Sequence, residues 1–113
     1  MRGKGFVMAA SRIETFRQML ESEPENVLVR FGLANEYLKA ERYEEAVAAF
    51  NDYLRRADDE GAAFGMLARA FEKLGRREEA RESLMRGIEA AEKHGHPSMA
   101  EDYRMTLESD YED

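Results

Sequence analysis

A chain of 113 residues, 43% hydrophobic and 36% charged with only two prolines, has room for one domain with a thin core and a heavily solvated outside. A net charge of −7 leaves no basic surplus to neutralise phosphates, which argues against nucleic acids and anionic membranes as partners. The absence of cysteine excludes disulfides, thiolate chemistry and cysteine zinc sites and suits a reducing cytoplasm, and no apolar run nears the ~20 residues a membrane span needs.

Residues 1–10 carry Arg2 and Lys4 ahead of Phe6, Val7, Met8, Ala9 and Ala10. That apolar stretch is marginal for a signal peptide, so the segment is expected to be a flexible leader, with a second possible start at Met8. A first helix is predicted over 11–22, opened by the S-x-x-E capping box of Ser11 and Glu14 and followed by Pro24. Asn26 can cap a second helix over 27–39, whose Leu33, Tyr37 and Ala40 follow helical spacing. After a break at Ala40-Glu41-Arg42 a third helix spans 43–56, with Ala46, Phe50 and Tyr53 on one face. A fourth covers 60–74 and ends at Gly75, which can take the left-handed conformation of a helix stop. The fifth runs over 77–93. The Lys93-His94-Gly95-His96-Pro97 turn then leads to a sixth over 98–109, opened by a second box at Ser98 and Glu101. Residues 110–113 form an acidic tail, expected to fray, or to dock in a groove of a neighbouring molecule.

Subtracting 34 from residue numbers exposes an internal period. Leu67 falls on Leu33, Ala68 on Ala34, Phe71 on Tyr37, Lys73 on Lys39 and Ile88 on Leu54. Glu78-Glu79-Ala80 falls on Glu44-Glu45-Ala46, and Leu84 on Phe50. A second subtraction sets Val47 on Ile13, Phe50 on Phe16, Tyr53 on Met19, Leu54 on Leu20 and Asp58 on Pro24, so residues 11–24 are a second helix without its first. Beyond residue 95 the period slips by two, and Met99, Ala100 and Tyr103 repeat the Leu33, Ala34, Tyr37 spacing. The organisation is therefore a half-repeat over 11–24, full repeats over 27–60 and 61–94, and a closing helix over 98–109. A single hairpin would leave one apolar face wet, and stacking neighbours buries it.

These residues resemble the tetratricopeptide repeat, whose pattern is W-x2-L-G-x2-Y, A-x3-F and P over 34 residues. The first full unit reads L-A-x2-Y at Leu33, Ala34 and Tyr37, then A-x3-F at Ala46 and Phe50. The second reads L-A-x2-F at Leu67, Ala68 and Phe71, then A-x3-L at Ala80 and Leu84. Arg30 and Phe64 stand at the fourth place, alanine replaces glycine in both units, and the closing proline survives only as Pro24. The resemblance covers about residues 11–105 and implies a small stand-alone member of the family. Its expected fold is all-α, a short right-handed superhelical stack of antiparallel pairs with about six helices.

In the resembled family, first helices line a concave groove that binds ligands through the second, fifth, ninth, twelfth and thirteenth places. The resemblance puts these at Leu28, Phe31, Asn35, Leu38 and Lys39, and at Ala62, Gly65, Arg69, Glu72 and Lys73, with Met66 adjoining. Leu28, Phe31 and Leu38 are expected to face solvent, with Ala62 and Gly65 leaving room opposite them. Lys39, Arg69 and Lys73 against Glu72 make the face net positive on an acidic chain, which can steer an acidic segment inward. The implied ligand is a peptide with an apolar anchor and an acidic group. The clamp with which some family members grip chaperone tails is broken here. Asn35 matches its first asparagine, but Phe31 and Met66 replace a lysine and an asparagine.

His94 and His96, with Met99, Glu101 and Asp102 nearby, are the one candidate metal set, and a polar turn is the simpler account. No nucleophile elbow, phosphate loop or paired nucleophile and base is present. Glu78, Glu79 and Glu82 interleaved with Arg76, Arg77, Arg81 and Arg86 read as a solvated face with weak pairs. The expectation is a non-enzymatic protein-interaction module without cofactor. Its alternative is a self-associating structural protein that uses the Leu28, Phe31, Leu38 stripe as a homodimer contact.

Overall fold

The computed structural model describes the backbone of residues 4–111 and the side chains of residues 12–111. Met1–Gly3 and Glu112–Asp113 lie outside the described residues. Six helices and no strand occur among those described: α1 (Lys4–Ser22), α2 (Val27–Lys39), α3 (Tyr43–Leu54), α4 (Ala62–Lys73), α5 (Arg77–Lys93) and α6 (Pro97–Asp110). They fall into two compact units, Met1–Ala57 with α1 to α3 and Asp58–Asp113 with α4 to α6. Among the described residues no helix is long and apolar enough to cross a membrane.

In the first unit α2 packs against both α1 and α3. Asn26 starts α2 as its sequence position suggests, its side-chain oxygen accepting from the Val29 N–H at 3.2 Å. The core joins Ile13 of α1 to Val29, Leu33, Ala34 and Tyr37 of α2 and Ala46, Val47 and Phe50 of α3. Ala34 and Ala46 are fully buried, and small side chains there let helix axes approach closely. Full burial of the Phe50 ring stabilises the unit by about 1.5–3 kcal/mol.

In the second unit α5 packs against α4 and α6. The core takes Ala63, Phe64, Leu67, Ala68, Ala70 and Phe71 from α4, Ala80, Leu84 and Ala91 from α5, and Ala100 from α6. Asp59 starts α4: its carboxylate accepts from the Gly61 and Ala63 N–H groups, each at 2.9 Å.

The 34-residue period recurs in the turns. Arg42 donates its N–H to Tyr37 O and Arg76 its N–H to Phe71 O, both at 2.9 Å. Each turn passes through a left-handed residue, Glu41 at φ 60° and Gly75 at φ 74°.

Three expectations about helix ends are corrected. The helix of the half-repeat begins at Lys4, so Ser11 lies inside it and the Ser11–Glu14 box is no cap; residues 4–10, expected as leader, are helical in backbone. The other box also fails, because α6 begins one residue early with Pro97 in its first turn and no side-chain cap at His96. Proline's fixed φ suits a helix start and overrides the serine. Finally, α6 runs to Asp110 and Tyr111 is buried at 7% exposure, so the expected frayed end is folded through residue 111.

Candidate functional site

The predicted α4 residues come together. Ala62, Gly65, Met66, Arg69 and Lys73 all line one open recess of about 450 Å³ in the second unit, with Glu72 among them. The spacing places them on one face of α4. Ala68 and Leu84 add apolar lining, and α6 contributes Met99, Tyr103 and Thr106 before Tyr111 closes one side.

Two residues that the sequence reading did not assign to the site shape this recess. The first is Tyr103. Its phenol donates to Gly61 O at 2.8 Å, and its ring lies where a Cβ on Gly65 or on Gly87 would sit. The space at Gly65, expected to be left for a ligand, is therefore taken by the closing helix. The repeat makes the reason visible. One period earlier the same two places hold Phe31 and Tyr53, whose rings meet at 5.3 Å. Where the first unit fills the slot with two aromatics of its own hairpin, the second leaves two glycines and fills it from α6. The spacing that identified Met99, Ala100 and Tyr103 as a repeat signature was the available signal.

The second is Tyr111. Its hydroxyl donates to the Glu72 carboxylate at 2.8 Å, and the Arg77 guanidinium lies over its ring at 4.9 Å. Arg77 also donates to Asp110 O at 2.8 Å. Burial, then the Glu72 carboxylate, push the Tyr111 phenol up to about 12. The i, i+4, i+8 run of Tyr103, Leu107 and Tyr111 was legible as a helix stripe but masked by the acidic residues around it. Nor is the arginine-rich start of α5 purely a solvated face, since Arg77 covers Tyr111 and Arg86 covers the Phe64 ring at 4.9 Å.

Charge around the recess is unevenly satisfied. Glu72 is engaged by Tyr111, whereas Arg69 and Lys73 are exposed with no carboxylate partner among the described residues. Elsewhere in the chain many cations are paired, as Arg42 is with Glu45 and Arg104 with Glu92.

In the first unit Leu28 faces solvent as expected, whereas Phe31 and Leu38 of α2 are placed differently from expectation. Leu28 is exposed at 81%, but Leu38 is buried at 8% and Phe31 is half-buried, its ring edge-on to Phe50 at 6.3 Å. Phe31 and Leu38 share a flank of α2 with the core residue Ala34, whereas Leu28 lies away from it, and flank positions of a helix are drawn into packing. Asn35 is half-buried. Lys39 is exposed and donates to Glu36 at 3.3 Å. Glu36 itself is buried at 5% and also pairs with Arg12 of α1 at 3.7 Å, a role its polar sequence context concealed.

The two histidines are separated rather than joined. His94 Nε2 faces Asp58 at 3.2 Å and His96 Nε2 faces Glu60 at 2.5 Å. Among the described residues no group of three histidine, aspartate or glutamate side chains is placed to hold a metal ion. Neither Glu101 nor Asp102 is the partner, because the α3–α4 connection supplies a carboxylate to each imidazole.

Comparison with known proteins fits this architecture. No curated protein sequence matches the chain. The solution structure of protein BPP2914 from Bordetella parapertussis superimposes with a TM-score of 0.73 at 22% identity, over 96% of this chain and 87% of that one. A likeness at that identity speaks for the fold alone. A family model described as tetratricopeptide repeat matches residues 8–109. The chain belongs to the tetratricopeptide repeat family.

Proposed function

We propose that this chain is a non-enzymatic protein-interaction module that takes a peptide segment with an apolar anchor and an acidic group at the α4 recess of its second unit. The observation that carries the reading is the pair of exposed cations, Arg69 and Lys73, without carboxylate partners among the described residues, beside an apolar lining of Ala62, Met66, Ala68, Leu84 and Met99. An open recess of about 450 Å³ matches the scale of ligand sites of roughly 300–1,000 Å³. Family membership supports the same class of role, and the cysteine-free composition suits the cytoplasm, where we place it. In the first unit, Leu28 and Asn35 are the α2 positions with surface left for a ligand, and Lys39 is partly committed to Glu36. The self-association alternative loses most of its stripe, since Leu38 is buried and Phe31 packs on α3.

The test uses fluorescent peptides of about twelve residues that share one leucine, phenylalanine or tyrosine and differ in flanking charge. Acidic members should bind, and binding should weaken with salt because exposed charges are screened. The Arg69→Glu, Lys73→Glu double variant should lose about tenfold or more in affinity with its helical circular dichroism intact. Binding that ignores the double substitution refutes the assignment.

A further inference from the structure

We infer that the α4 recess selects a segment bearing an aromatic side chain flanked by acidic residues, and that Tyr111 occupies the aromatic's place until such a segment displaces it. This inference rests on the peptide-binding reading above.

Tyr111 behaves unlike its surroundings. Glu108, Ser109 and Asp110 before it are exposed, yet its own ring is 7% exposed and held by Glu72 on one side and Arg77 on the other. The ring is also a shared wall. It borders the main recess, a second of about 150 Å³ beside Gly75 and Arg77, and a third of about 420 Å³ lined by Met85, Ile88 and Leu107. Withdrawing it removes the wall that the three share. The contacts of Tyr111 are those any phenol could make: a hydroxyl to a carboxylate and a ring face to a guanidinium. Its neighbours in sequence, Asp110, Glu112 and Asp113, have the charge for which Arg69 and Lys73 hold no partner among the described residues. The seated side chain thus reports the chemistry the site accepts.

The geometry also favours exchange with a partner over exchange between copies. Helix α6 continues unbroken from Pro97 to Asp110, with the Tyr111 N–H bonded to Leu107 O at 3.0 Å. A side chain tethered this closely has an effective concentration in the millimolar range, which a second copy carrying the same tyrosine at micromolar concentration cannot match, whereas a partner segment that adds contacts to Arg69 and Lys73 can. Helix ends open more readily than helix centres, so releasing the last turn is the easy step.

The test adds a synthetic peptide with the sequence of residues 107–113 to the full chain and to a Tyr111→Ala variant, and measures binding by calorimetry. The peptide should bind the variant about tenfold or more tightly than the unaltered chain, and adding Arg69→Glu and Lys73→Glu should abolish the gain. A peptide with serine in place of its tyrosine should bind neither. Tyr111→Phe keeps the ring and loses the bond to Glu72, so it should fall between the two and guards against a variant that fails to fold. Equal binding to the chain and to both Tyr111 variants overturns the inference, as does binding to none of them. A concentration-dependent dimer that Tyr111→Ala abolishes also overturns it, in favour of exchange between copies. If the twelve-residue acidic peptides respond to the charge reversal but not to Tyr111→Ala, peptide binding stands and the placeholder alone fails.

Discussion

Glu41 and Gly75 stand one repeat apart and hold the same left-handed backbone, at φ 60° and φ 74°. The turns around them are otherwise matched down to the 2.9 Å bonds of Arg42 and Arg76. A side chain in this conformation carries a cost of roughly 1 kcal/mol that glycine avoids. Glu41→Gly should therefore stabilise the chain, by up to about 1 kcal/mol, while Gly75→Ala should destabilise it by a similar amount. Urea midpoints of the two variants check both signs. A Glu41→Gly variant less stable than the parent would show that the Glu41 side chain contributes more than the strain.

Gly65 is set by Tyr103. A Cβ there would come within 2.5 Å of the phenol oxygen and 2.9 Å of ring carbon Cε1, in a ring anchored to Gly61 O. Overpacking should outweigh the gain of about 1 kcal/mol in helix propensity, so Gly65→Ala should cost a net 1–2 kcal/mol or so. In a Tyr103→Ala background the same substitution should change sign and stabilise. Thermal melts of the four chains in that cycle give the coupling directly, and an additive cycle would sever the two residues.

Phe31 and Leu28 separate packing from surface on α2. Phe31→Ala removes ring contacts with Phe50 and Tyr53 and should destabilise by about 2–3 kcal/mol. Leu28, 81% exposed, should tolerate alanine within about 0.5 kcal/mol. Chemical denaturation of both variants decides the matter, and a neutral Phe31→Ala would return that ring to the list of ligand contacts.

The α3–α4 connection carries an acid-sensitive pair of contacts. Asp58 is held below its ordinary 3.8 by hydrogen bonding to His94 first and Lys93 next, and Glu60 below its ordinary 4.5 by His96. A carboxylate depressed in the folded state contributes stability above its unfolded value and loses it as pH falls through the folded one. That loss falls below pH 4.5 for Glu60 and below pH 3.8 for Asp58. The Asp58→Asn, Glu60→Gln variant should show a shallower loss of stability over that range than the parent, measured from urea midpoints at successive pH values. Parallel acid limbs would remove these contacts from the account.

The repeat was readable because it is written locally. Helical spacing at Leu33, Tyr37, Ala46 and Phe50, the glycine stop at Gly75 and the cap at Asn26 act over a turn or two of chain, and the period repeats them at fixed distance. All six helices, most of their boundaries and the buried alanines at the repeat positions, Ala34, Ala46, Ala68, Ala80 and Ala100, follow from that. Ends were misjudged where two local signals competed, as Pro97 did with Ser98, or where a helix continued past a serine that resembled a cap.

What only the tertiary structure decided is how the faces are occupied. Whether Gly65 is an opening or a socket depends on Tyr103, whose bond to Gly61 spans 42 residues. Whether residue 111 is a frayed tail or a seated ring depends on Glu72 and Arg77, and whether Phe31 meets solvent depends on Phe50 and Tyr53. Periodicity places a side chain on a helix face. Packing between helices determines what that face touches, because steric fit and charge pairing are properties of surfaces brought together, and those surfaces come from distant stretches of chain.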